Sequence, residues 1–507
     1  MTAQTVDLIV EVDAALPMTD RSVLYDSLIA IEGGRILFVG DRETGRRSFI
    51  SKTVIGGPGT VALPGLVNAH THVGLHFFGT LCDDVNVINA LYDLIFPMEA
   101  GFDEELMYAA SSLGLWDAVR GGVTTICDHY HFADATARAA HRIGVRGLVA
   151  DKIIEFTLDD PPRYDSRTQR YTIDYKRSEA ERRLSANIDF VERWKGDPLI
   201  TPCLGPHAPD TLSTDMLIEC ARAAESLDVK MLMHLAQSRA EIAQIARQGH
   251  PGSIYYLNEI GFLSPRVQAA HMVYLDEREI EIAGASGMGM SFNPVIMMAC
   301  RGFPKIDRLL ASGIRMGMGT DCLSMDQLEE MRYGIYMANY VRGSDDFQMS
   351  GHDLLWLATV GGAQCLGLVD EIGTLEIGKK ADLIVLDLKD AQLVPNTNYF
   401  ETVAYYAKSR NLAHSIIDGR LVYSDGRLQL ANQDEIYAEG TEHAHTWLRR
   451  NQPILERTQL LRRLQPHAAL THQPRGHAGV GEGRHADMRI GTHPSTALSS
   501  AFSEQSM

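Results

Sequence analysis

The apolar positions of this chain come in short runs that repeat at regular intervals. Near 66–70, 123–128, 145–150, 199–205, 229–234, 267–271, 288–292 and 314–320 they form β-like segments. Several are almost continuously hydrophobic, as parallel strands covered on both faces are. Between most of them apolar residues recur at helical spacing, for example in Asp215-Met216-Leu217-Ile218-Glu219-Cys220-Ala221-Arg222-Ala223-Ala224-Glu225. Eight strands alternating with helices is the count of a (β/α)8 TIM-type barrel, expected over residues 61–370.

The two ends have a different pattern. Leu28–Ile31 and Arg35–Gly40 are strand-like runs around Gly33-Gly34, a hairpin signal. Ala381–Asp387 reads as a strand, and Ser415–Tyr423 reads as a hairpin turning at Asp418-Gly419. Residues 1–60 and 371–430 are therefore expected to build one small β-sandwich domain from both ends of the chain. Residues 431–465 read as a charged helical extension. From 466 to 507 His, Gly, Ser, Thr and Pro dominate without periodicity, which predicts a disordered tail. Its histidines (His467, His472, His477, His485, His493) read as solvated.

Composition narrows the function. A net charge of −18 over 507 residues argues against a nucleic-acid surface. No apolar run approaches the roughly 18 residues that span a bilayer, and the N-terminus lacks the basic and apolar regions of a signal peptide. Seven scattered cysteines without Cys-x-x-Cys spacing read as reduced thiols. A cytoplasmic protein acting on a small molecule is expected, with no nucleic acid or membrane partner.

Candidate chemistry lies at the strand ends. His70 and His72 share one face of the first strand, because side chains alternate with period two. His234 closes the fifth strand, His271 the sixth and Asp321 the eighth. Each alone is most simply a satisfied structural histidine or a capping aspartate. All five ending parts of one pattern point to a divalent ion, zinc first, with Fe²⁺ or another transition metal also suited to imidazole and carboxylate donors. His129 and His131, after the second strand, are candidates for the pocket wall. Met288, Met290, Met297, Met298, Met316, Met318 and Met325, with Phe77, Phe78 and Phe292, either line an adaptable apolar pocket or fill the core.

Pro64-Gly65-Leu66-Val67-Asn68-Ala69-His70-Thr71-His72, Gly122-Val123-Thr124-Thr125, Pro206-His207-Ala208-Pro209, His234-Leu235-Ala236, Ala270-His271-Met272-Val273, Gly319-Thr320-Asp321 and the late Ile372–Leu383 segment resemble the amidohydrolase superfamily. The resemblance covers about residues 6–430 and is nearest to the deaminase and triazine-hydrolase branch. It implies one bound metal, with ligand roles for His70, His72, His234 and Asp321 and with His271 as a ligand or a residue orienting the water. Two-metal members carry a modified lysine in the fourth strand, and Ile200–Gly205 contains none; Lys152, in the third, is a poorer bridge. The implied chemistry is attack of metal-bound hydroxide on an sp² carbon bearing a nitrogen leaving group. Asp321 would act as base, and His207 and His271 would polarise the substrate. A homo-oligomer is also implied.

The chain departs from that branch at informative positions. A proton-donating Glu three residues after the third ligand histidine is here Gln237, whose amide hydrogen-bonds but does not shuttle a proton. Gly79 replaces an Arg, Phe292-Asn293-Pro294 replaces a His-Asn-Pro segment, and the loop after Asp321 is short. These departures point away from adenosine-type substrates. The expected substrate is small, flat and fairly apolar, contacted by His207, Gln237, Phe292, His129 and Met298. The reaction is either deamination or substitution of an N-heterocycle, or hydrolysis of an amide, aryl urea or carbamate. A metal-binding barrel without turnover is the reading outside enzymology.

Overall fold

A computed structural model of the chain describes residues 3–81, 91–165, 168, 170–300, 302–342 and 346–457. The expected tail at 466–507, with its histidines, lies outside the described residues.

Strands are numbered in chain order. β1 (Leu8–Ala15), β2 (Leu24–Glu32), β3 (Arg35–Asp41) and β4 (Val54–Pro64) precede the barrel. Its strands are β5 (Leu66–Thr71), β6 (Val123–Tyr130), β7 (Arg146–Ile153), β8 (Ile200–Pro202), β9 (Met231–Leu235), β10 (Val267–His271), β11 (Gly289–Phe292) and β12 (Arg315–Met318). β13 (Leu383–Asp387), β14 (Leu412–Ile417), β15 (Arg420–Ser424) and β16 (Arg427–Leu428) follow.

β5 to β8 and β9 to β12 pair as parallel neighbours in chain order, and β12 returns to β5 through Met318 opposite Asn68. The seam between β8 and β9 is closed by a bridge from Leu204 to Met231 and by Leu232 N–H donating to Leu204 O at 2.9 Å. The result is a closed eight-stranded parallel barrel, with a strand at each of the eight expected positions. Every residue of β5 and β6 is buried. That two-sided burial is the reason their sequences run apolar without alternation.

The strands from both ends of the chain form one eight-stranded mixed sheet, ordered β16-β15-β14-β13-β4-β1-β2-β3. Both expected hairpin turns are present. Gly33 and Gly34 have φ of 57° and 78°, and Asp418 and Gly419 have φ of 52° and 73°. Left-handed backbone at both central positions matches the twist of the flanking strands. Val10, Val12, Ile29, Leu383, Val385 and Ile416 pack in one apolar cluster of this sheet.

Sheet and barrel are joined at the barrel base. Arg146, at the start of β7, meets Asp382 at 2.6 and 3.1 Å. Asp382 also accepts Asp418 N–H at 2.7 Å. Two C-terminal helices, Gln433–Arg450 and Gln452–Arg457, complete the described chain. Trp447 is buried against Phe77, Phe78 and Phe102. The two phenylalanines considered for the pocket therefore seat this extension. Among the described residues no helix is long and apolar enough to cross a membrane.

Candidate metal centre

The mouth of the barrel gathers the expected donors. His70 and His72 lie side by side, their rings 4.7 Å apart. The rings of His234 and His271 stand 5.0 and 5.4 Å from that of His70. Asp321 Oδ1 is 3.7 Å from His72 Nε2; its Oδ2 is 3.9 Å from His70 Nε2 and 3.4 Å from His271 Nε2. His72 Nε2 and His234 Nε2 face each other at 3.1 Å. Two donors held by one tetrahedral ion at about 2.1 Å lie about 3.4 Å apart, so these separations suit a single cation.

The backbone is bent to achieve this convergence. Ala236, His271, Met272 and Asp321 have φ of 49°, 82°, 50° and 60° at the ends of their strands. Such conformations cost about 1 kcal/mol or more each and concentrate at functional sites. Hydrogen bonds across the β5–β12 seam hold them. Thr320 N–H and Asp321 N–H both donate to His70 O, and His72 N–H and the Thr71 hydroxyl donate to Asp321 O. Gly319 is obligatory here: a Cβ would lie 2.5 Å from Asn293 Oδ1 and 2.6 Å from His70 O.

Hydrogen bonding fixes several tautomers. His234 Nδ1–H donates to His207 O at 3.1 Å, leaving its Nε2 lone pair directed at the centre. Asn293 Nδ2–H donates to His271 Nδ1 at 3.2 Å, so His271 carries its proton on Nε2, toward Asp321. The Thr211 hydroxyl donates to Ala208 O and accepts from His207 Nδ1–H at 3.0 Å. His207 Nε2 is then an acceptor facing the cavity.

Burial keeps these imidazoles neutral. Desolvation, aided by neighbouring cationic and imidazole groups, holds His70, His72, His207 and His234 well below the usual histidine range. Desolvation alone brings His271 to about 3. It pushes Asp321 up to about 7, against a hydrogen bond from Cys322. His70 Nε2, which faces Asp321, is buried without a hydrogen-bond partner. An orphaned imidazole nitrogen beside a costly carboxylate is what a divalent cation would satisfy.

A cavity opens directly above. Its floor includes His72, His207, His234, His271 and Asp321, and Gln237 and Ser238 line it beside them. The upper wall is apolar, with Leu75, Leu91, Ile95, Val273, Ile296 and Met297. Three expected contacts lie elsewhere. Phe292 is fully buried against Phe303, outside the cavity lining. Met298 is 36% exposed while Met297 lines the cavity, since successive helical residues point about 100° apart. His129 donates its Nε2–H to Gly205 O at 2.9 Å and stacks on His234 at 5.3 Å, supporting that ring from the side. Met288, Met290, Met316, Met318 and Met325 are buried in the core.

Glu99, which no sequence motif points to, is a charged group in the cavity wall and pairs there with Lys152. Lys152 Nζ is 2.8 Å from Glu99 Oε1, and Glu99 Oε2 accepts His131 Nε2–H at 2.9 Å. Lys152 and Glu99 both line the cavity. A signal was present: a lysine within Leu148-Val149-Ala150-Asp151-Lys152-Ile153 needs a buried counter-charge. Its partner lies far off in sequence and could not be located without the fold.

The profile of the amidohydrolase family matches residues 61–422. The chain belongs to this family and is a hydrolase acting on carbon–nitrogen bonds other than peptide bonds. It is 35% identical over 412 residues to a 5-methylthioadenosine/S-adenosylhomocysteine deaminase of Syntrophobacter fumaroxidans, spanning 80% of this chain and 90% of that one. A zinc-bound adenosine deaminase structure from Xanthomonas campestris superposes with a TM-score of 0.81 at 26% identity, covering 88% of this chain and 99% of that one. A zinc complex of atrazine chlorohydrolase from Arthrobacter aurescens shares the fold, with a TM-score of 0.76 at 20% identity over 86% of this chain and 100% of that one.

Proposed function

We infer that the protein removes or replaces the amino group of a small, flat, fairly apolar N-heterocycle. The observation that carries this reading is the convergence of His70, His72, His234, His271 and Asp321 beneath a largely apolar cavity wall. His70, His72, His234 and Asp321 would hold one divalent ion. Zinc suits three imidazoles and a carboxylate, and iron(II) shares that preference. When bound, such a cation lowers the pKa of a coordinated water from about 15.7 toward 7.

The chain's own groups have distinct tasks. Asp321 accepts the proton of the attacking water. His271 Nε2–H faces Asp321 Oδ2 and orients that carboxylate. His207 offers Nε2 to a substrate N–H, and Gln237 reads an edge of the ring by hydrogen bonding. The relatives' names bring adenosine-type nucleosides into the first substrate panel, against the direction in which Gln237 and Gly79 point. Amide, aryl-urea or carbamate hydrolysis is the alternative; the apolar wall accommodates it, and it would proceed without ammonia release from an aminoheterocycle. A barrel without turnover is favoured only by the amide at Gln237.

The mixed sheet supports a sandwich built from both ends. Its cluster joins β1 and β2 to β13 and β14, and Ile36 N–H donates to Lys379 O at 2.9 Å. We divide the chain as 1–60 with 371–430, 61–370 and 431–465. The buried thiols of Cys127, Cys203, Cys220 and Cys365, outside any disulfide, support a reducing cytoplasm. Tyr333, Tyr336 and Tyr340, exposed on one helix, support a homo-oligomer.

Metal content and ammonia release from adenosine-type nucleosides and aminotriazines, with and without chelator, test the reading together. The expected result is bound transition metal and chelator-sensitive turnover. Metal-free protein that is indifferent to chelators would overturn it.

A further inference from the structure

Among the described residues the cavity wall carries one buried ammonium, and the steps assigned above leave it unused. Lys152, Glu99 and His131 form a chain of contacts entirely below the surface: side-chain exposures are 4%, 0% and 4%. Lys152 Nζ is hydrogen-bonded to Glu99 at 2.8 Å and lies over the Tyr130 ring at 4.7 Å and the Phe96 ring at 5.4 Å. Those rings lead to the centre. Tyr130 is 5.6 Å from the ring of His72, and Phe96 is 5.8 Å from that of His207. The ammonium is thus held between the two sides of the cavity floor.

Behind it the network continues outward. His131 Nε2–H donates to Glu99 Oε2, so its Nδ1 accepts from Arg183 Nη1 at 3.3 Å. Arg183 Nη1 also donates to Lys152 O at 3.2 Å. Burial pushes Glu99 up, but Lys152 and His131 outweigh it and hold the carboxyl at about 2. A buried ion pair of this kind is expensive, and a well-packed apolar pair would serve stability as well or better. Its place in a cavity wall points to chemistry.

Cleavage of a C–N bond sends the bonding pair to nitrogen, and the departing amine must gain a proton. His234 and His207 spend their Nδ1–H on His207 O and the Thr211 hydroxyl and turn only Nε2 lone pairs inward, and Gln237 has no acidic proton to give. We propose that Lys152 is the catalytic residue that protonates the leaving nitrogen, with Glu99 and His131 as its positioning residues. This rests on the hydrolase reading above. The Nζ–H bond breaks as the new N–H bond forms and the C–N bond opens. Lys152 is left as the neutral amine. The proton that Asp321 took from water passes to the ring nitrogen beside the attacked carbon, and the proton released when the adduct's hydroxyl becomes a carbonyl restores the charge of Lys152, so water supplies both hydrogens and no other reactant is needed.

The test compares leaving groups. Matched 6-amino and 6-chloro purine nucleosides, and amino and chloro s-triazines, are assayed with zinc-loaded wild type, Lys152→Met and the double variant Lys152→Met/Glu99→Gln. The double variant removes both charges and keeps the experiment informative if the single one fails to fold. Chloride leaves without a proton. The expected loss is about 100- to 10,000-fold for amino substrates and at least tenfold smaller for their chloro partners. Equal losses on both series, or undiminished amino turnover, overturn the proposal. Zinc-loaded wild type that turns over neither series overturns the deamination-or-substitution reading instead. Independently of turnover, metal-free protein labelled with ¹⁵N-lysine should show at pH 7 a protected ammonium signal absent from the double variant. Its absence from wild type overturns the proposal.

Discussion

At the base of the barrel, the guanidinium of Arg146 meets both oxygens of Asp382 and also reaches Pro198 O at 2.9 Å and Asp418 Oδ1 at 3.2 Å. At the mouth of the same barrel, His70 Nε2, His72 Nδ1 and one oxygen of Asp128 are buried without partners. Both places put polar groups out of reach of water, where each unsatisfied group costs about 1–3 kcal/mol. The base answers that cost within the protein. The mouth turns His70 Nε2 to the centre, where the cation inferred above would answer it, and adds left-handed backbone at His271 and Asp321. Barrels of this type keep stability at the bottom and chemistry at the top. The contrast shows that the same barrel can close its polar groups on one another at one rim and turn them toward a ligand at the other.

The sharpest break in this comparison is Asp321→Asn. It should retain metal and melt no lower than wild type, while turnover falls about 100- to 10,000-fold. Parallel metal analysis and steady-state kinetics check both halves, and full activity would remove Asp321 as the base. Asp382→Ala attacks the base and should do the reverse. Leaving the buried guanidinium of Arg146 with only Asp418 and Pro198 O as partners should cost about 3 kcal/mol in urea unfolding, with turnover per folded molecule close to wild type.

A smaller effect is expected from Glu241→Gln at the rim of the mouth. Glu241 accepts Ala236 N–H at 2.7 Å, Gln237 N–H at 2.9 Å and the Ser253 hydroxyl at 2.7 Å. An amide cannot accept all three in this arrangement, so a loss of about 1–3 kcal/mol follows. A rise in KM would show that the Gln237 loop has moved, and unchanged stability would refute the account. The last effect is read in acid. Glu99 titrates at about 2 in the folded protein, against 4.5 for an ordinary glutamate. Its contribution is present above pH 4.5 and is lost as pH falls toward 2. Acid unfolding of Glu99→Gln should therefore be less steep over that interval than that of wild type.

The sequence made the barrel legible because β5 to β12 are covered on both faces and their apolar runs cannot be confused with amphipathic ones. The centre was legible for a related reason: His70 and His72 obey strand parity, and His234, His271 and Asp321 each close a run. What parity could not supply was register on the shorter elements. Phe292 and Met298 each stand one position away from a residue that faces inward, and a shift of one reverses the outcome. The link from Lys152 to Glu99 is purely tertiary, and the orienting roles of Asn293 and Thr211 are set by loops whose paths carry no periodic signal.

The sheet of both termini has a consequence for synthesis. β4 pairs on one side with β1 and on the other with β13, which leaves the ribosome more than 300 residues later. Until then the nascent chain presents β4 as an open strand edge, a template for pairing with other chains. A transcript cut before Leu383 would yield a barrel with its base uncapped and that edge permanently exposed. Joining the two terminal halves into one contiguous segment by circular permutation should relieve this exposure during translation and raise the soluble yield.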